Sequence, residues 1–264
     1  MRTVVMGILN VTPDSFADGG RFVSTESAIA HGLSMMEEGA DIIDVGGEST
    51  RPGAERVSEE EERTRVIPVI TALANRGAII SVDTMRSTVA AAAIEAGARY
   101  VNDVSGGLAD PQMAPLLAKN PEIQFVVMHW RGHSRDMQDA AVYEDVVAEV
   151  KNELEERVHK LVKEGISPEQ IILDPGIGFA KLPEHNWEIL QNIERFQLLG
   201  YPILVGHSRK SFLGKMLGSV EPDAREAASI AITTLMAEAG IWGVRTHGVR
   251  AHKDAISVVE MMRS

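Results

Sequence analysis

The 264-residue sequence contains no cysteine. This absence excludes disulfide scaffolds, thiolate zinc sites, iron–sulfur clusters and cysteine nucleophiles. It also fits a reducing compartment, so we expect a cytoplasmic protein. Aromatic residues make up only 5% of the chain, but hydrophobic residues make up 44%, which is typical of a globular domain and excludes disorder.

Long apolar runs and an excess of basic residues are also missing. No apolar run approaches the ~20 residues that a membrane-spanning helix needs. The chain has 26 basic and 38 acidic residues, which gives a net charge of −12. This balance disfavours a general affinity for nucleic acids or anionic membranes but permits a local basic pocket. The expected partners are therefore small molecules.

Short apolar runs alternate with longer segments of helical spacing. The runs lie at 4–9, 42–45, 79–82, 100–104, 125–128, 171–173, 203–205 and around 244. The helical segments lie at 25–38, 58–75, 87–96, 111–119, 142–164, 183–199, 224–239 and 251–262. This pattern predicts an α/β protein with one domain over residues 1–264, a single (β/α)8 TIM barrel of parallel strands. An open doubly wound sheet is the alternative, which eight consecutive units disfavour.

Glycines and long loops mark the junctions between these units. Four glycines stand where a helix ends and the next strand begins, and they are expected to adopt the left-handed conformation: Gly39, Gly97, Gly165 and Gly240. Residues 11–24 and 46–57 are too long for tight turns and are rich in Gly, Pro and Ser. We expect these two segments to close over a substrate.

Polar side chains stand at the predicted carboxyl ends of the strands, where barrel enzymes keep their active sites. They are Asn10, Asp44, Asp83, Asn102, Asp103, His129, Asp174, Ser208, Arg209, Lys210, Arg245 and His247. Each one alone could cap a helix or close a turn. Together they predict one common pocket.

The chemistry of this set is mixed. Asp83, Asn102 and Asp174 suit a flat heterocycle with a guanine-like edge, because a carboxylate accepts two parallel bonds from adjacent N–H groups. Five residues supply positive charge for an anion: Arg51, Arg209, Lys210, Arg245 and His247. The pocket is therefore predicted to bind a heterocycle joined to a strongly anionic group.

The sequence lacks the motifs of several other classes of enzyme and metal site. The sequence has neither a phosphate-binding Gly-x4-Gly-Lys-Ser/Thr loop nor a Gly-x-Ser-x-Gly elbow. His129 and His133 have the spacing of metal ligands on a helix, but Gly132 between them disfavours a shared helical face. The remaining histidines on predicted helices are expected at the surface: His31, His159, His185 and His252.

Several longer blocks resemble the signatures of the dihydropteroate synthases. They are 6–16 (MGILNVTPDSF), 44–53 (DVGGESTRPG), 81–84 (SVDT), 102–106 (NDVSG), 174–179 (DPGIGF), 208–210 (SRK) and 245–247 (RTH). The blocks keep the family's order and cover every strand end except the fifth. Together they are far more specific than any single short motif.

The resemblance implies a transferase of folate biosynthesis. Members of this family join 6-hydroxymethyl-7,8-dihydropterin pyrophosphate to 4-aminobenzoate and release pyrophosphate with the help of Mg²⁺. The family mechanism is dissociative, because the C–O bond breaks before the amine attacks a pterin-stabilised cation, so no protein nucleophile is needed. The resemblance also implies a homodimer, and a target for sulfonamide analogues of aminobenzoate.

The matching positions imply roles for individual residues. Those for the pterin are Asp83, Asn102, Asp174 and Lys210, with Met128 and Phe179 lining its pocket. Those for pyrophosphate and magnesium are Asn10, Arg245 and His247, with Asn10 as the metal ligand. Those for aminobenzoate are Thr50, Arg51, Pro52 and Ser208. The expected catalytic residues are Asp83, Lys210, Arg245 and His247.

One departure and two alternatives accompany this interpretation. Gly248 stands where family members often carry Asp, so the orientation of His247 is expected to differ. A pterin-dependent methyltransferase would share the pterin-binding carboxylates, but it should lack the blocks at 12–16, 208–210 and 245–247. A catalytically silent paralogue would keep pterin binding without forming product.

Overall fold

The computed structural model describes residues 2–12, 21–48, 57–132, 140–219 and 221–263, with only the backbone described at 21–24. The strands are β1 (Val4–Asn10), β2 (Ile42–Gly46), β3 (Ile80–Asp83), β4 (Tyr100–Asp103), β5 (Gln124–Met128), β6 (Ile171–Asp174), β7 (Leu204–Val205) and β8 (Gly243–Thr246). The helices are α1 (Arg21–Glu37), α2 (Glu59–Ala74), α3 (Ser87–Glu95), α4 (Met113–Ala118), α5 (Val146–Lys163), α6 (Pro183–Gln191), α7 (Ile193–Gln197), α8 (Ser211–Leu217), α9 (Glu226–Glu238) and α10 (Val249–Arg263).

All eight strands run parallel in one sheet, in the order β6-β5-β4-β3-β2-β1-β8-β7. The two end strands, β6 and β7, approach each other through an isolated parallel bridge between Leu173 and Ile203. This bridge nearly closes the ring, with the helices around it. The predicted TIM barrel is therefore confirmed.

Local sequence signals account for several helix boundaries. The Ser58 side chain accepts a hydrogen bond from the Glu61 amide at 3.1 Å and caps α2. Asp145 caps α5 in the same way, because its side chain accepts from the Ala148 amide at 2.9 Å. The four junction glycines all have positive φ, between 74° and 110°, as predicted: Gly39, Gly97, Gly165 and Gly240.

The helices differ from the sequence prediction in four places. Helix α1 begins at residue 21 rather than 25, and α5 begins at Val146 rather than at residue 142. The helix predicted over 183–199 is two helices, because the Asn192 side chain bonds the Glu188 carbonyl at 2.8 Å and competes with the backbone ladder. Helix α8 was not predicted, since its seven residues are too few to show a helical period.

The inside of the barrel below the strand ends is apolar. Five buried side chains fill it and form what we call the plug: Met6, Ile42, Val126, Ile172 and Leu204. Tyr100 and Trp242, which lie where β4 and β8 begin, pack against the plug. A larger apolar core lies between the strands and the helices. In the described part of the chain, we find no helix long and apolar enough to cross a membrane.

Candidate active site

The carboxyl ends of the strands and the loop after β7 gather polar side chains above the plug, some buried and some half-buried. We call this group the mouth; it comprises Asn10, Asp44, Asp83, Asn102, Asp174, Lys210 and Arg245. Strand register aligns part of it, because Asn10 pairs with Gly46, Gly46 with Asp83, and Asp83 with Asn102. Neighbouring strands therefore present these side chains at one level of the barrel.

Arg245 is the centre of an ionic network on one side of the mouth. Its Nε donates to Asp44 Oδ2 at 2.6 Å, and its Nη2 donates to Asp83 Oδ2 at 2.7 Å. The Asn102 amide also donates to Asp44 Oδ2, at 2.9 Å. Burial lowers the pKa of Arg245, but the two carboxylates outweigh this effect and the net shift is upward. Arg245 thus stays charged, and its five donors exceed the two used here.

Asp83, one of the two carboxyl groups bonded to Arg245, has a raised pKa. Burial raises its pKa from 3.8 to about 7, because water no longer solvates the charged form. Arg245 opposes this shift, whereas the neighbouring Asp44 adds to it. Asp83 therefore titrates near neutral pH, which is a property of groups at catalytic sites.

Asp174 and Lys210 form a second side of the mouth, next to Arg245, because all three would lie within 4 Å of a Cβ on Gly206. Asp174 is buried, which raises its pKa, and its Oδ1 accepts from the Gly176 amide at 2.7 Å. Burial lowers the pKa of Lys210 to about 8, while Asp174 opposes the shift. The Lys210 Nζ bonds the Ile177 carbonyl and lies 4.4 Å from the centroid of the Phe179 ring. Lysine, carboxylate and aromatic face thus share one pocket wall.

Glycine at position 178 makes this wall possible. Its φ is +81°, a conformation that side chains rarely adopt. A Cβ there would lie 2.7 Å from Lys210 Cδ, so any side chain would displace the lysine. Met128 belongs to the same region, because it pairs with Asp174 across β5 and β6 and is buried.

Ser208 and His247 connect the loops that follow β7 and β8. Ser208 Oγ lies 3.0 Å from His247 Nδ1 and accepts from the His247 amide at 3.2 Å. The hydroxyl thereby fixes where His247 leaves the strand end. The remaining predicted aminobenzoate residues lie outside the described residues: Thr50, Arg51 and Pro52.

Two strand-end residues were wrongly predicted to face the pocket. Asp103 instead closes its own turn, because its carboxylate accepts from the amides of Ser105 at 2.7 Å and Gly107 at 3.0 Å. Arg209 points to a different partner and donates from Nε to Glu226 at 2.7 Å. Capping and turn formation thus explain Asp103, as they can for any single polar residue after a strand.

His129 also has partners outside the mouth. Its Nδ1 lies 3.0 Å from Lys181 Nζ, and its Nε2 lies 2.9 Å from Glu153 Oε2. Burial and the neighbouring Lys181 lower the pKa of His129 to about 4, so the ring is neutral. The ammonium of Lys181 can only donate, so Nδ1 accepts and the Nε2 proton faces Glu153.

Sequence reasoning missed Lys181 and misplaced His252. Lys181 is buried, its Nζ bonds the Phe179 carbonyl at 3.1 Å, and burial lowers its pKa to about 7. Only its position two residues after the 174–179 block could have drawn attention to it. His252 was expected at the surface, which is wrong, because the residue is completely buried between α9 and α10.

The mouth can accept a hard cation without being a closed metal cage. Within the described ranges, no group of three or more His, Asp or Glu side chains is arranged to hold a metal. A Cβ on Gly46 would lie 3.7 Å from Asn10 Oδ1 and 3.6 Å from Asp83 Oδ2, so its absence keeps space beside both oxygens. Such oxygen donors fit Mg²⁺, which is commonly held by few protein groups together with substrate phosphates.

Comparison with known proteins agrees with this geometry. Residues 6–247 match the family model described as "Pterin binding enzyme". The chain is 49% identical over 261 residues to a dihydropteroate synthase of Mycobacterium leprae, covering 97% of this chain and 92% of the relative. It is 43% identical over 257 residues to that of Escherichia coli, covering 97% and 90%.

Solved structures give the same result. The Xanthomonas albilineans dihydropteroate synthase with 4-aminobenzoic acid has a TM-score of 0.93 and 44% identity, over 100% of this chain and 94% of that one. The structure from the same organism in complex with 7,8-dihydropteroate has a TM-score of 0.90 and 40% identity, with the same coverage. The chain therefore belongs to the pterin-binding enzyme family and, within it, to the dihydropteroate synthases, which are transferases.

Proposed function

We propose that the two sides of the mouth divide the dihydropteroate synthase reaction between them. The Asp174–Lys210 side binds the dihydropterin ring, and the Arg245 side binds its pyrophosphate group. The observation that carries this proposal is the placement of Arg245 at 2.6 Å from Asp44 and 2.7 Å from Asp83, in the same mouth as Asp174 and Lys210. The acceptor in the reaction is 4-aminobenzoate, and the products are 7,8-dihydropteroate and pyrophosphate.

Pterin recognition uses groups that are already oriented. The Asp174 carboxylate is held by the Gly176 amide and can accept two parallel bonds from a guanine-like edge. The bond from Asn102 to Asp44 fixes the amide, so that its carbonyl oxygen is the acceptor available to the ring. Met128 and Phe179 supply apolar contacts to the heterocycle.

The pyrophosphate is held by Arg245 and His247. Arg245 stays charged beside its two carboxylates and has further N–H donors for phosphate oxygens. His247 is held at the strand end by Ser208. Asn10 would hold Mg²⁺ through its side-chain oxygen, beside the space left by Gly46. When bound, the ion supplies positive charge that stabilises the departing pyrophosphate.

Bond making and breaking then need no protein nucleophile. The C–O bond to pyrophosphate breaks, and its electron pair leaves with the oxygen toward Arg245 and His247. The ionised Asp83 carboxylate stabilises the pterin cation that forms. The aminobenzoate nitrogen attacks the same carbon and loses a proton. Holding the two substrates in line supplies the rest of the rate enhancement.

The aminobenzoate site is assigned to the rim of the mouth. Ser208 contributes from the loop after β7. Family resemblance adds Thr50, Arg51 and Pro52, which lie outside the described residues. Sulfonamides imitate aminobenzoate in shape and charge, so we propose that they compete for this site.

The assembly proposed for this chain is a cytoplasmic homodimer. The last two helices expose four large apolar side chains, with 63%, 57%, 76% and 83% of their surface accessible, respectively: Leu235, Val258, Met261 and Met262. Ile232 and Met236 of the same region are instead buried in the core. An apolar patch at the surface of α9 and α10 supports contact with a second copy.

A reconstituted reaction tests the proposed function. The purified chain is mixed with dihydropterin pyrophosphate and 4-aminobenzoate, with Mg²⁺ or with EDTA, and dihydropteroate is measured by chromatography. We expect product with Mg²⁺ and little product with EDTA. Calorimetric pterin binding without product would instead identify the silent paralogue. Methyl transfer from a methylated pterin in place of dihydropteroate formation would identify the methyltransferase.

A further inference from the structure

Glu226 occupies the space where a side chain on Gly248 would lie. A Cβ built on Gly248 would be 2.1 Å from Glu226 Oε1, far closer than two such atoms can approach. Gly248 directly follows His247, one of the proposed pyrophosphate-binding residues. The carboxylate of Glu226, which comes from the start of α9, therefore lies against the chain at the site. Glycine at 248 is required for that placement.

The same carboxylate holds the loop after β7. Glu226 Oε2 accepts from Arg209 Nε at 2.7 Å. Arg209 has a φ of +56°, a left-handed conformation that is unfavourable for a residue with a side chain and persists only where its surroundings impose it. This conformation turns Arg209 outward while its neighbours Ser208 and Lys210 belong to the site.

The backbone of Arg209 is fixed on both sides. Its amide donates to Ser229 Oγ at 3.0 Å, and its carbonyl accepts from Arg225 Nη1 at 2.9 Å. These partners fix the peptide groups, but Glu226 and the exposed Asp223 are the acidic partners of the guanidinium. Since Asp223 is largely exposed to water, Glu226 contributes most to holding the side chain.

Buried hydrogen bonds place the His252 ring beside Glu226. His207 Nε2 lies 2.9 Å from the Ser229 carbonyl, which can only accept, so this nitrogen carries the proton. The same Nε2–H lies 3.0 Å from Thr233 Oγ1, which leaves the threonine proton for His252 Nδ1 at 2.7 Å. The proton of the His252 ring is then on Nε2, which lies 3.4 Å from Glu226 Oε1 without completing a hydrogen bond. The ring thus contacts the carboxylate through its N–H edge, and Arg209 is the group that donates to Glu226.

The loops after β7 and β8 meet at this point. Glu226 joins Arg209 of the first loop to Gly248 of the second, and it lies beside His252 of α10. On the side of the substrate, Ser208 bonds His247 at 3.0 Å across the same two loops. A shift of Arg209 would move Ser208 and Lys210 with it, because the three residues are consecutive.

We propose that Glu226 is a positioning residue for the pyrophosphate side of the site, and that it provides from α9 a carboxylate that position 248 could otherwise supply. The inference rests on the proposed function of the mouth. A Cβ at position 248 lies 3.8 Å from Arg209 Nη2, so an aspartate there would bring its carboxylate within reach of the same guanidinium. The carboxylate can therefore come from either position but not from both.

Reciprocal substitutions test the exchange. Four variants are compared with the wild type: Glu226→Gln, Glu226→Ala, Gly248→Asp and the double variant Glu226→Ala/Gly248→Asp. The measurements are kcat and KM for both substrates, binding of inorganic pyrophosphate with Mg²⁺ by calorimetry, and urea unfolding. Glu221→Gln is the matched control, because Glu221 is an exposed acid five residues earlier in the chain.

We expect Glu226→Gln and Glu226→Ala to weaken pyrophosphate binding and lower kcat/KM by about tenfold, since a hydrogen bond between charged groups is lost. Gly248→Asp alone should lower pyrophosphate binding and kcat/KM more than either Glu226 variant, because its side chain meets Glu226 and adds a like charge. The double variant should recover most of the activity of the wild type. The control should bind and react as the wild type does.

The outcomes separate this inference from the proposed function. A wild type that forms no dihydropteroate would overturn the proposed function. An active wild type with unchanged Glu226→Gln and Glu226→Ala variants would overturn only the positioning role. A folded double variant no more active than Glu226→Ala would refute the exchange. If the double variant does not fold, pyrophosphate binding by folded Glu226→Gln still decides the positioning role.

Discussion

The plug and the mouth are built from the same strands but carry side chains of opposite chemistry. On β2, Ile42 lies in the plug and Asp44, two residues later, lies in the mouth. On β6, Ile172 and Asp174 repeat this arrangement. Because side chains alternate between the two faces of a strand, a step of two residues keeps the inward direction and moves up the barrel.

The difference shows how one barrel separates stability from chemistry. Apolar side chains in the plug stabilise the fold by leaving water. Carboxyl groups in the mouth lose their water as well, and burial raises the pKa of both Asp83 and Asp174. The mouth therefore costs stability in order to keep charges ready for a substrate, as many active sites do. Substitutions in the two regions should have opposite effects.

Replacing Lys210 should give the largest effect on activity. We expect Lys210→Ala to lower kcat/KM by about 10³-fold, because an oriented charge at the reacting site is lost. Stability should not fall, since burial already lowers the pKa of this lysine to about 8. Dihydropteroate formation and urea unfolding measure both quantities. Lys215→Ala, an exposed lysine of α8, is the control, and near-wild-type turnover by Lys210→Ala would refute its role.

Truncating a side chain of the plug should lower stability and leave activity nearly unchanged, which is the reverse of the effect expected for Lys210→Ala. Ile172→Ala is expected to lower the free energy of unfolding by about 3 kcal/mol, because it leaves a cavity in a closely packed interior. Ile172→Val should cost about 1 kcal/mol. Urea unfolding gives these values, and kcat and KM of the folded protein should change little. A loss of substrate affinity comparable to that of Lys210→Ala would mean that the two regions are not separable.

The pH dependence of stability should reveal the charge in the mouth. Burial raises the pKa of Asp83 from 3.8 to about 7, so its stabilising contribution is complete below pH 3.8 and is lost as the pH rises through 7. Relative to the wild type, Asp83→Asn should therefore gain about 3 kcal/mol of stability between pH 5 and pH 8. Unfolding at both pH values measures this gain. Asp254→Asn, at an exposed position of α10, is the control, and a constant difference for Asp83→Asn would contradict the assignment.

The smallest effect is expected at Asp103, a strand-end carboxylate outside the mouth. Asp103→Asn should lower the free energy of unfolding by about 1 kcal/mol, because the bond from the Gly107 amide at 3.0 Å is lost. Turnover should stay near that of the wild type, whereas Asp83→Asn should lower it. Parallel assays of the two variants test the distinction. Equal losses of turnover would place Asp103 in the site after all.

Much of the fold follows from sequence periodicity. Alternating apolar runs and amphipathic segments located all eight strands, and the buried stripe on α5 falls where its spacing predicts: Val146, Val150, Leu154, Val158 and Leu161. Short elements such as α8 were not predicted, because seven residues do not establish a helical period. The interruption between α6 and α7 at Asn192 was not predicted either, since it depends on one side chain that competes with the helix backbone.

The sequence could predict which residues reach the site, because they stand at strand ends. It could not predict the hydrogen-bond and ionic partners of these residues. Strand ends indicate which residues reach the mouth, as they do for Asp83 and Asp174. The direction of a loop residue depends on its backbone conformation and on distant partners, so Arg209 was misplaced. Lys181 and Glu226 belong to no strand end, and their contacts exist only after the helices have packed.

The barrel is least continuous between β6 and β7, where a single bridge joins Leu173 to Ile203. Asp174 follows Leu173 on one side of it, and Lys210 stands on the loop beyond β7 on the other. In the binding mode proposed above, the pterin contacts both residues and so links the two strands at the least paired part of the ring. We expect the amide of Leu173, which donates to the Pro202 carbonyl at 2.9 Å, to exchange its hydrogen with solvent more slowly once pterin is bound. Slower exchange would show that substrate binding also stabilises the closure of the barrel.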